Sequence, residues 1–597
     1  MSIATLSDLF LVAAGYHKPD CLQHKVSGQY VPISTAEVTD QVRRVARALE
    51  KLGIERGDRV ALMADNGPHW PVIDFATLCR GAATVPIYPT LLPEQAAYIV
   101  QDSGAKVAFV HTREQLNGLR AHASELGEIK LVLIDGEAGG EPAVLHFGEL
   151  LEMGADVDPE AFEAVARQTQ ADDLASLVYT SGTTGKPKGV MLTHGNFVSN
   201  IVTSMGLVSF RADMQALSFL PLAHVFERMI DYCYFYKGVS IAYAESVQTV
   251  PQNILEVKPH VFVSVPRVYE KFLARVQDTI AGAPAVRQKL FHWALETGRQ
   301  SLPYRLKGEH PPGLLGLKLA LANALVFRKI HTRLGGRFEY AVSGGAPLAP
   351  DIAEFFWSVG IEIYEGYGLT ETAPVISVNA PGRVKLGTVG KPIPGIEVKI
   401  AEDGEILSRG PHIMKGYFNR PDATAEVIDE EGWFHTGDIG ELDAEGFLKI
   451  TDRKKEIIVN AYGKNVAPAP IENALKASRY IAQAMVIGDR RKYLSALVVP
   501  DFEALATWAP QHGVAATGPE ELSRDPKVRE LVAQEVAEVN RNLANYEQIV
   551  RWELVPREFT IETGELTPTQ KIKRRVIHDN YSGVIEQLYS NQGASGT

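Results

Sequence analysis

Four short apolar runs, "RVALMA" (59–64), "ATVPIY" (83–88), "KVAFVH" (106–111) and "KLVLID" (130–135), are separated by helix-like stretches, and this alternation constrains the chain more than any other feature. Strands that are continuously apolar must be buried on both faces, and helices between them supply the cover, so a largely parallel sheet in a layered α/β body is predicted. Ahead of these runs, "STAEVTDQVRRVARALEKLG" places Val38, Val42, Val45, Leu49 and Leu52 at spacings of four and three. Ser34 and Glu37 have the spacing of a capping box, so an amphipathic helix starts there.

At 597 residues the chain exceeds the roughly 250–300 residues at which single cores stop growing, so more than one domain is expected. Near residue 450 a glycine- and turn-rich β region gives way to a helix beginning near Pro470. Strand patterns "QAMVIG" and "LSALVVP" follow, then a helix carrying Val528, Leu531, Val532, Val536 and Val539. This predicts a large body over residues 1–451 and a smaller α+β domain over 452–597, with the boundary at Asp452 to Lys455. Residues from about Lys271 to Leu334 read as helices, with Leu317, Leu321 and Leu325 stacked at i, i+4 and followed by Arg328, Lys329 and Arg333. A surface helix on the body is the reading adopted, and a membrane-surface contact is the alternative.

The net charge of −12 is spread through mixed-sign segments without a dominant basic stripe, which argues against nucleic acid as the main partner. The three cysteines, Cys21, Cys79 and Cys233, form no CxxC pair, so neither a disulfide framework nor a zinc site is indicated and a reducing compartment is expected. The first twenty residues lack the pattern of a secretory signal, and no apolar run reaches the length of a membrane span. The expectation is a cytoplasmic protein, with peripheral contact at the inner face of the membrane as its extension.

The segment "YTSGTTGKPKG" (179–189) follows a strand pattern, "LASLVYT", and precedes a helix-like stretch, "HGNFVSNIVTSMGLV". Glycines let a backbone turn its N–H groups onto an oxyanion, and hydroxyls and lysines add donors and charge, so polyphosphate is the natural guest. A Walker loop is excluded by spacing: Gly182 and Gly185 are separated by two residues, and Pro187 stands where the magnesium-binding hydroxyl belongs.

This segment resembles the phosphate loop of adenylate-forming acyl ligases, the family of acyl-CoA synthetases, luciferases and nonribosomal peptide adenylation domains. Further segments match in the family's order: "LPLAHVFER" (220–228), "SGGAPL" (343–348), "YEGYGLTET" (364–372), "GWFHTGDIG" (432–440), "DRKKEIIVNAYGKNVAP" (452–468) and "LTPTQKIKRR" (566–575). Within the family the chain looks most like bacterial-type long-chain fatty acyl-CoA synthetases. The resemblance implies a large N-terminal body with a mobile C-terminal domain, use of ATP, Mg2+ and coenzyme A, and a reaction in two halves: formation of an acyl-adenylate with loss of pyrophosphate, then transfer of the acyl group to the thiol of coenzyme A.

The same resemblance implies site roles. Thr180, Ser181, Gly182, Thr183, Thr184, Gly185 and Lys186 would wrap the β- and γ-phosphates. Glu371 with Thr180 would hold magnesium, and Thr370 would touch the α-phosphate. Glu365, Gly366 and Tyr367 would border the adenine, with Gly344, Gly345 and Ala346 forming another wall. Asp438 would accept the ribose hydroxyls, with Arg453 adding a ribose or phosphate contact. His224 would lie between the phosphates and the acyl carboxylate, without acid–base duty. Lys571 would bridge the attacking carboxylate and the α-phosphate, with Lys573 as its rival, since relatives carry glycine where Gln570 precedes the lysine. Lys455 would be the hinge, and Gly463 would line the pantetheine tunnel. The runs "DYCYFYKGVSIAYAES" and "HVFVSVPRVYEKF" read equally as acyl pocket or as core. The alternatives are an acyl-AMP ligase loading a carrier protein, a ligase for medium-chain or aromatic acids, a P-loop NTPase, and a silent binding module.

Overall fold

A computed structural model of the chain describes residues 3–136, 144–180, 186–567 and 571–590. The helix expected after Ser34 runs from Thr35 to Lys51, with Ser34 and Glu37 making both bonds of the capping box. The four apolar runs become strands Arg59–Met63, Ala83–Ile87, Val107–Val110 and Lys130–Leu133. All are parallel neighbours in an eight-stranded sheet. Parallel strands are buried on both faces by the helices that connect them, which is why they read as unbroken apolar runs.

One edge of that sheet departs from the sequence reading. Leu174–Thr180 pairs antiparallel with a strand over Lys188–Thr193, Thr180 opposite Lys188 and Tyr179 opposite Gly189. The glycine-rich segment therefore links two strands of a hairpin, and the helix His194–Met205 starts only after the second of them. Val190 and Leu192 are fully buried there, a two-residue period belonging to a strand. A Cβ on Gly189 would lie 3.0 Å from the Tyr179 ring, so glycine lets that ring cross its partner strand.

A second, nine-stranded sheet has a parallel centre. In spatial order Ile363–Gly368, Tyr340–Ser343, Val261–Ser264, Gln215–Ser218, Ser240–Tyr243 and Leu22–Val26 run side by side. Residues 220–228, 265–268 and 344–348 each follow the carboxyl end of one of these strands, and 364–368 lie within another. Open α/β sheets bind ligands beyond the carboxyl ends of parallel strands, where the strand order reverses. Here that reversal falls at Gln215–Ser218, which lies between the strands 240–243 and 261–264. The runs 231–244 and 261–269 are chiefly core: Tyr232, Cys233, Tyr234, Tyr243 and Phe262 are all buried.

The chain divides into two compact units, one of residues 1–399, 407–436 and 442–449, the other of 400–406, 437–441 and 450–597. The second unit has a three-stranded sheet of Ile481–Ile487, Leu494–Pro500 and Ile549–Leu554. Its helices include Pro468–Lys476 and Pro526–Asn540, the latter burying Val528, Val532 and Val536. No helix among the described residues is long and apolar enough to cross a membrane.

Candidate active site

Ser181, Gly182, Thr183, Thr184 and Gly185 lie outside the described residues, but both ends of their loop are described. The Tyr179 hydroxyl donates to Asp102 at 2.7 Å, and Arg420 pairs with the same carboxylate at 3.1 Å. Tyr98 places its hydroxyl 3.3 Å from both Asp102 and the Pro187 carbonyl, and the Lys186 ammonium lies 5.1 Å from the centre of its ring. Asp102 thus holds Tyr179, which enters the loop, directly, and Tyr98, bonded to the same carboxylate, meets Pro187 and Lys186 where the chain leaves it. Burial raises the Tyr179 and Tyr98 phenols, with Asp102 adding to the shift, so both act as donors.

The opposite side of the hairpin leads to Glu371. Lys188, the cross-strand partner of Thr180, holds its ammonium 4.9 Å from the centre of the Tyr417 ring. Tyr417 pairs with Val190 on the outer edge of the hairpin and donates its hydroxyl to Glu371 at 2.9 Å. The Met414 N–H donates to the Glu371 carbonyl. Thr370 and Glu371 occupy a single 3₁₀ turn, Thr370–Thr372, directly after the strand that carries Glu365, Gly366 and Tyr367. The structure therefore brings Thr180, Lys188, Tyr417 and Glu371 into one connected group beside the loop.

No group of three or more His, Cys, Asp or Glu suited to a metal occurs among the described residues. Magnesium bound mainly by substrate phosphates and water asks for only one or two protein carboxylates. Glu371, with a hydrogen bond orienting one oxygen, and the Thr180 hydroxyl are hard oxygen donors that fit this demand.

Residues 344–346, expected as a second wall, are shaped by close approach. A Cβ on Gly344 would fall 2.7 Å from the Phe226 ring, and Gly345 sits at φ +79°, where a side chain is strained. Ala346 is exposed beside them. Glu365 is buried and accepts from the Leu348 N–H, and loss of water pushes its carboxyl up to about 8. His224 is the N-cap of the helix Val225–Lys237, its Nδ1 accepting from the Phe226 N–H at 3.1 Å. That segment is held from the other sheet: the Asn66 amide donates to the Leu220 carbonyl at 2.6 Å and accepts from the Leu222 N–H at 3.0 Å. Asn66 follows the strand Arg59–Met63, and the sequence reading passed over it.

In "HVFER" the arginine is structural. Arg228 is buried against Asp74 and bonds to Tyr232 and Ser176 at 2.8 and 2.7 Å.

In the second unit, Arg453 pairs with the buried Asp438 at 3.2 Å. The Lys454 N–H donates to the Gly437 carbonyl, and its ammonium reaches Glu405 at 2.9 Å and Asp403 at 2.6 Å. These bonds explain why residues 437–441 group with 450–597, although the sequence boundary placed Asp438 in the large body. Lys455 is exposed. Asp452 is buried and pushed up to about 6, chiefly by burial. Gly463, at φ +73°, turns a hairpin in which the Asn460 side chain accepts from Tyr462 and Lys464 N–H groups at 3.0 Å. Lys571 is exposed, and its backbone closes on Thr567 through bonds of 2.8 and 3.0 Å. Just beyond it, Arg574 anchors the segment to Glu472 at 2.7 Å and to Glu456 at 3.4 Å.

A chain of two folded units, with a hydroxyl- and glycine-rich segment joining two strands of a hairpin in the first, is what the AMP-binding enzymes share with this protein. The family model of the AMP-binding enzymes matches residues 13–418, and that of the AMP-binding enzyme C-terminal domain matches 455–593. The chain belongs to this family. It is 38% identical over 573 residues to the long-chain-fatty-acid–CoA ligase FadD15 of Mycobacterium bovis, covering 96% of this chain and 94% of the relative. It is 34% identical to the human long-chain-fatty-acid–CoA ligase ACSBG1, covering 98% and 83%. Among solved structures, the adenylation domain of a carboxylate reductase from Mycobacterium chelonae superposes with a TM-score of 0.76 at 23% identity, covering 98% of this chain and 91% of that one. A Mycobacterium tuberculosis fatty acyl CoA synthetase does so at 0.62 and 23%, covering 97% and 99%.

Proposed function

We propose that the protein is an AMP-forming long-chain fatty acid:CoA ligase. The observation that carries this reading is the Thr180–Lys188–Tyr417–Glu371 group beside the loop, in a chain whose relatives at 34–38% identity over nearly its full length are named for that activity. In the first half-reaction a fatty acid carboxylate attacks the α-phosphorus of ATP, and the bond to pyrophosphate breaks. In the second, the thiolate of coenzyme A attacks the acyl carbon and AMP leaves. Neither half needs a protein nucleophile; both need reactants held in line and developing charge stabilised.

The hairpin loop, Thr184 included, with Lys186 holds the β- and γ-phosphates, and Thr370 meets the α-phosphate. Thr180 and Glu371 hold magnesium, which neutralises phosphate charge when bound. Gly344, Gly345, Ala346, Glu365, Gly366 and Tyr367 enclose the adenine. Asp438 and Arg453 take the ribose, and His224 borders the acyl carboxylate. Lys571 serves the first half-reaction only. The second unit then turns about Lys455, exchanging Lys571 for the hairpin at Gly463, where coenzyme A enters. We read the enzyme as cytoplasmic, meeting its substrate at the inner face of the membrane.

Product analysis with ATP, magnesium and palmitate, with and without coenzyme A, tests the assignment. Palmitoyl-CoA, AMP and pyrophosphate support it; acyl-AMP persisting in the presence of coenzyme A points to a carrier protein as acceptor, and orthophosphate overturns it. Lys571→Ala should abolish acyl-AMP formation while sparing thioester formation from supplied acyl-AMP, and equal loss of both removes the division of labour.

A further inference from the structure

The helix Ala285–Arg305 turns back into Gly313–Ala322, which continues through Asn323–Phe327. The inward side of this hairpin is well packed. A Cβ on Gly298 would lie 2.2 Å from the Ser358 carbonyl oxygen, so the first helix presses on Pro350–Val359. Phe291, Ala294, Val326 and Phe327 fill the core beneath. The outward side is apolar as well. Leu314, Leu317, Leu321 and Leu325 form one stripe at spacings of three and four and are 47–68% exposed. An antiparallel hairpin brings the end of that stripe back alongside the first helix, where Val286 is 79% and Trp293 37% exposed. Among the described residues nothing buries these side chains fully, and an apolar face left in water marks an interaction site.

Charge identifies the partner. Residues 285–334 hold nine Lys and Arg against two Glu, within a chain of net charge −12. Lys289, Lys318, Arg328 and Lys329 are exposed along the stripe, and among the described residues no carboxylate pairs with them. A symmetric contact with a second copy would bring two such cationic faces together, which electrostatics opposes. A helical hairpin that exposes leucines and a tryptophan together with lysines and arginines has the composition of an element lying in a lipid headgroup region.

We propose that the hairpin 285–333 docks on the surface of an anionic lipid bilayer, leucines inserted and cations on headgroup phosphates. The proposal rests in part on the reading of the substrate as a long-chain fatty acid, a molecule that partitions into bilayers.

Cosedimentation of the full chain with vesicles of phosphatidylcholine, and of equal parts phosphatidylcholine and phosphatidylglycerol, tests it without ATP or fatty acid. Binding should favour the mixed vesicles and weaken with added salt. The triple change Leu317→Ser, Leu321→Ser, Leu325→Ser should reduce binding about tenfold or more. Lys289→Glu, Arg328→Glu, Lys329→Glu should lower it comparably and remove the preference for phosphatidylglycerol. Both variants should keep wild-type turnover of a water-soluble medium-chain acid. Absence of vesicle binding, or unchanged binding by the leucine variant, overturns the proposal. So does a dimer in sedimentation that the leucine variant dissolves, which would make a second copy the occupant. Vesicle binding with no thioester formed would instead sink the ligase reading and leave the surface standing.

Discussion

Tyr417 reaches Glu371 through one hydroxyl, and Tyr417→Phe removes that bond while keeping the ring that Lys188 faces. A hydrogen bond to a charged group contributes about 1.5–3 kcal/mol, so pyrophosphate release at limiting magnesium should fall by about tenfold or more with little change in melting temperature. An unchanged magnesium dependence would remove Tyr417 from the site. Glu365 makes a second prediction, in pH. With its folded carboxyl raised to about 8, both folded and unfolded chains carry the proton at low pH and stability is unaffected there. As pH climbs from the ordinary carboxylate range toward 8 the unfolded chain ionises first, so native stability falls through that window and levels off above it. Glu365→Gln should therefore gain roughly 2–4 kcal/mol over the native protein between about pH 5 and about pH 8.5. Urea titrations of both proteins at the two pH values would show it, and a constant difference would contradict it.

Arg228 and Asp74 join three elements: the helix Val225–Lys237, the helix His69–Cys79 and, through Ser176, the strand Leu174–Thr180. Removing one partner of a buried pair leaves an uncompensated charge, so Asp74→Ala should cost about 3–5 kcal/mol. A urea midpoint within error of wild type would refute this, whereas turnover per folded molecule should be retained, since both side chains are buried. At this scale the sequence is informative where the pattern is local. Ser34 and Glu37, three residues apart, announce a helix start, and a run such as "KVAFVH" carries its burial in its composition. The strand Lys188–Thr193 escaped because its two-residue period is short and borders a glycine-rich loop and a helix-like run. Tyr417 escaped because it lies 46 residues from Glu371, and Asn66 because 154 residues separate it from the Leu220 carbonyl it holds. Such pairings are set by tertiary packing, which leaves no spacing to read.

For the whole molecule, each unit has its own core and should respond separately to damage within it. Glu472 is buried, and its carboxyl is raised by loss of water while Arg574 pulls it back. Arg574→Ala strands that group and should cost the second unit about 3–5 kcal/mol. Calorimetry should then show an early transition for residues 450–590 with the larger unit melting near its original temperature; a uniform downward shift of a single transition would mean the units unfold together. The three cysteines bear on how the proposed turn of the second unit can be watched. Cys21, Cys79 and Cys233 are buried and unpaired, and burial raises all three thiols, Cys21 to about 11. Thiolate is the reactive form, so the native protein is close to inert toward maleimides. A dye pair on engineered surface cysteines, one in each unit, could then report interdomain distance during turnover without first stripping the natural thiols from the core.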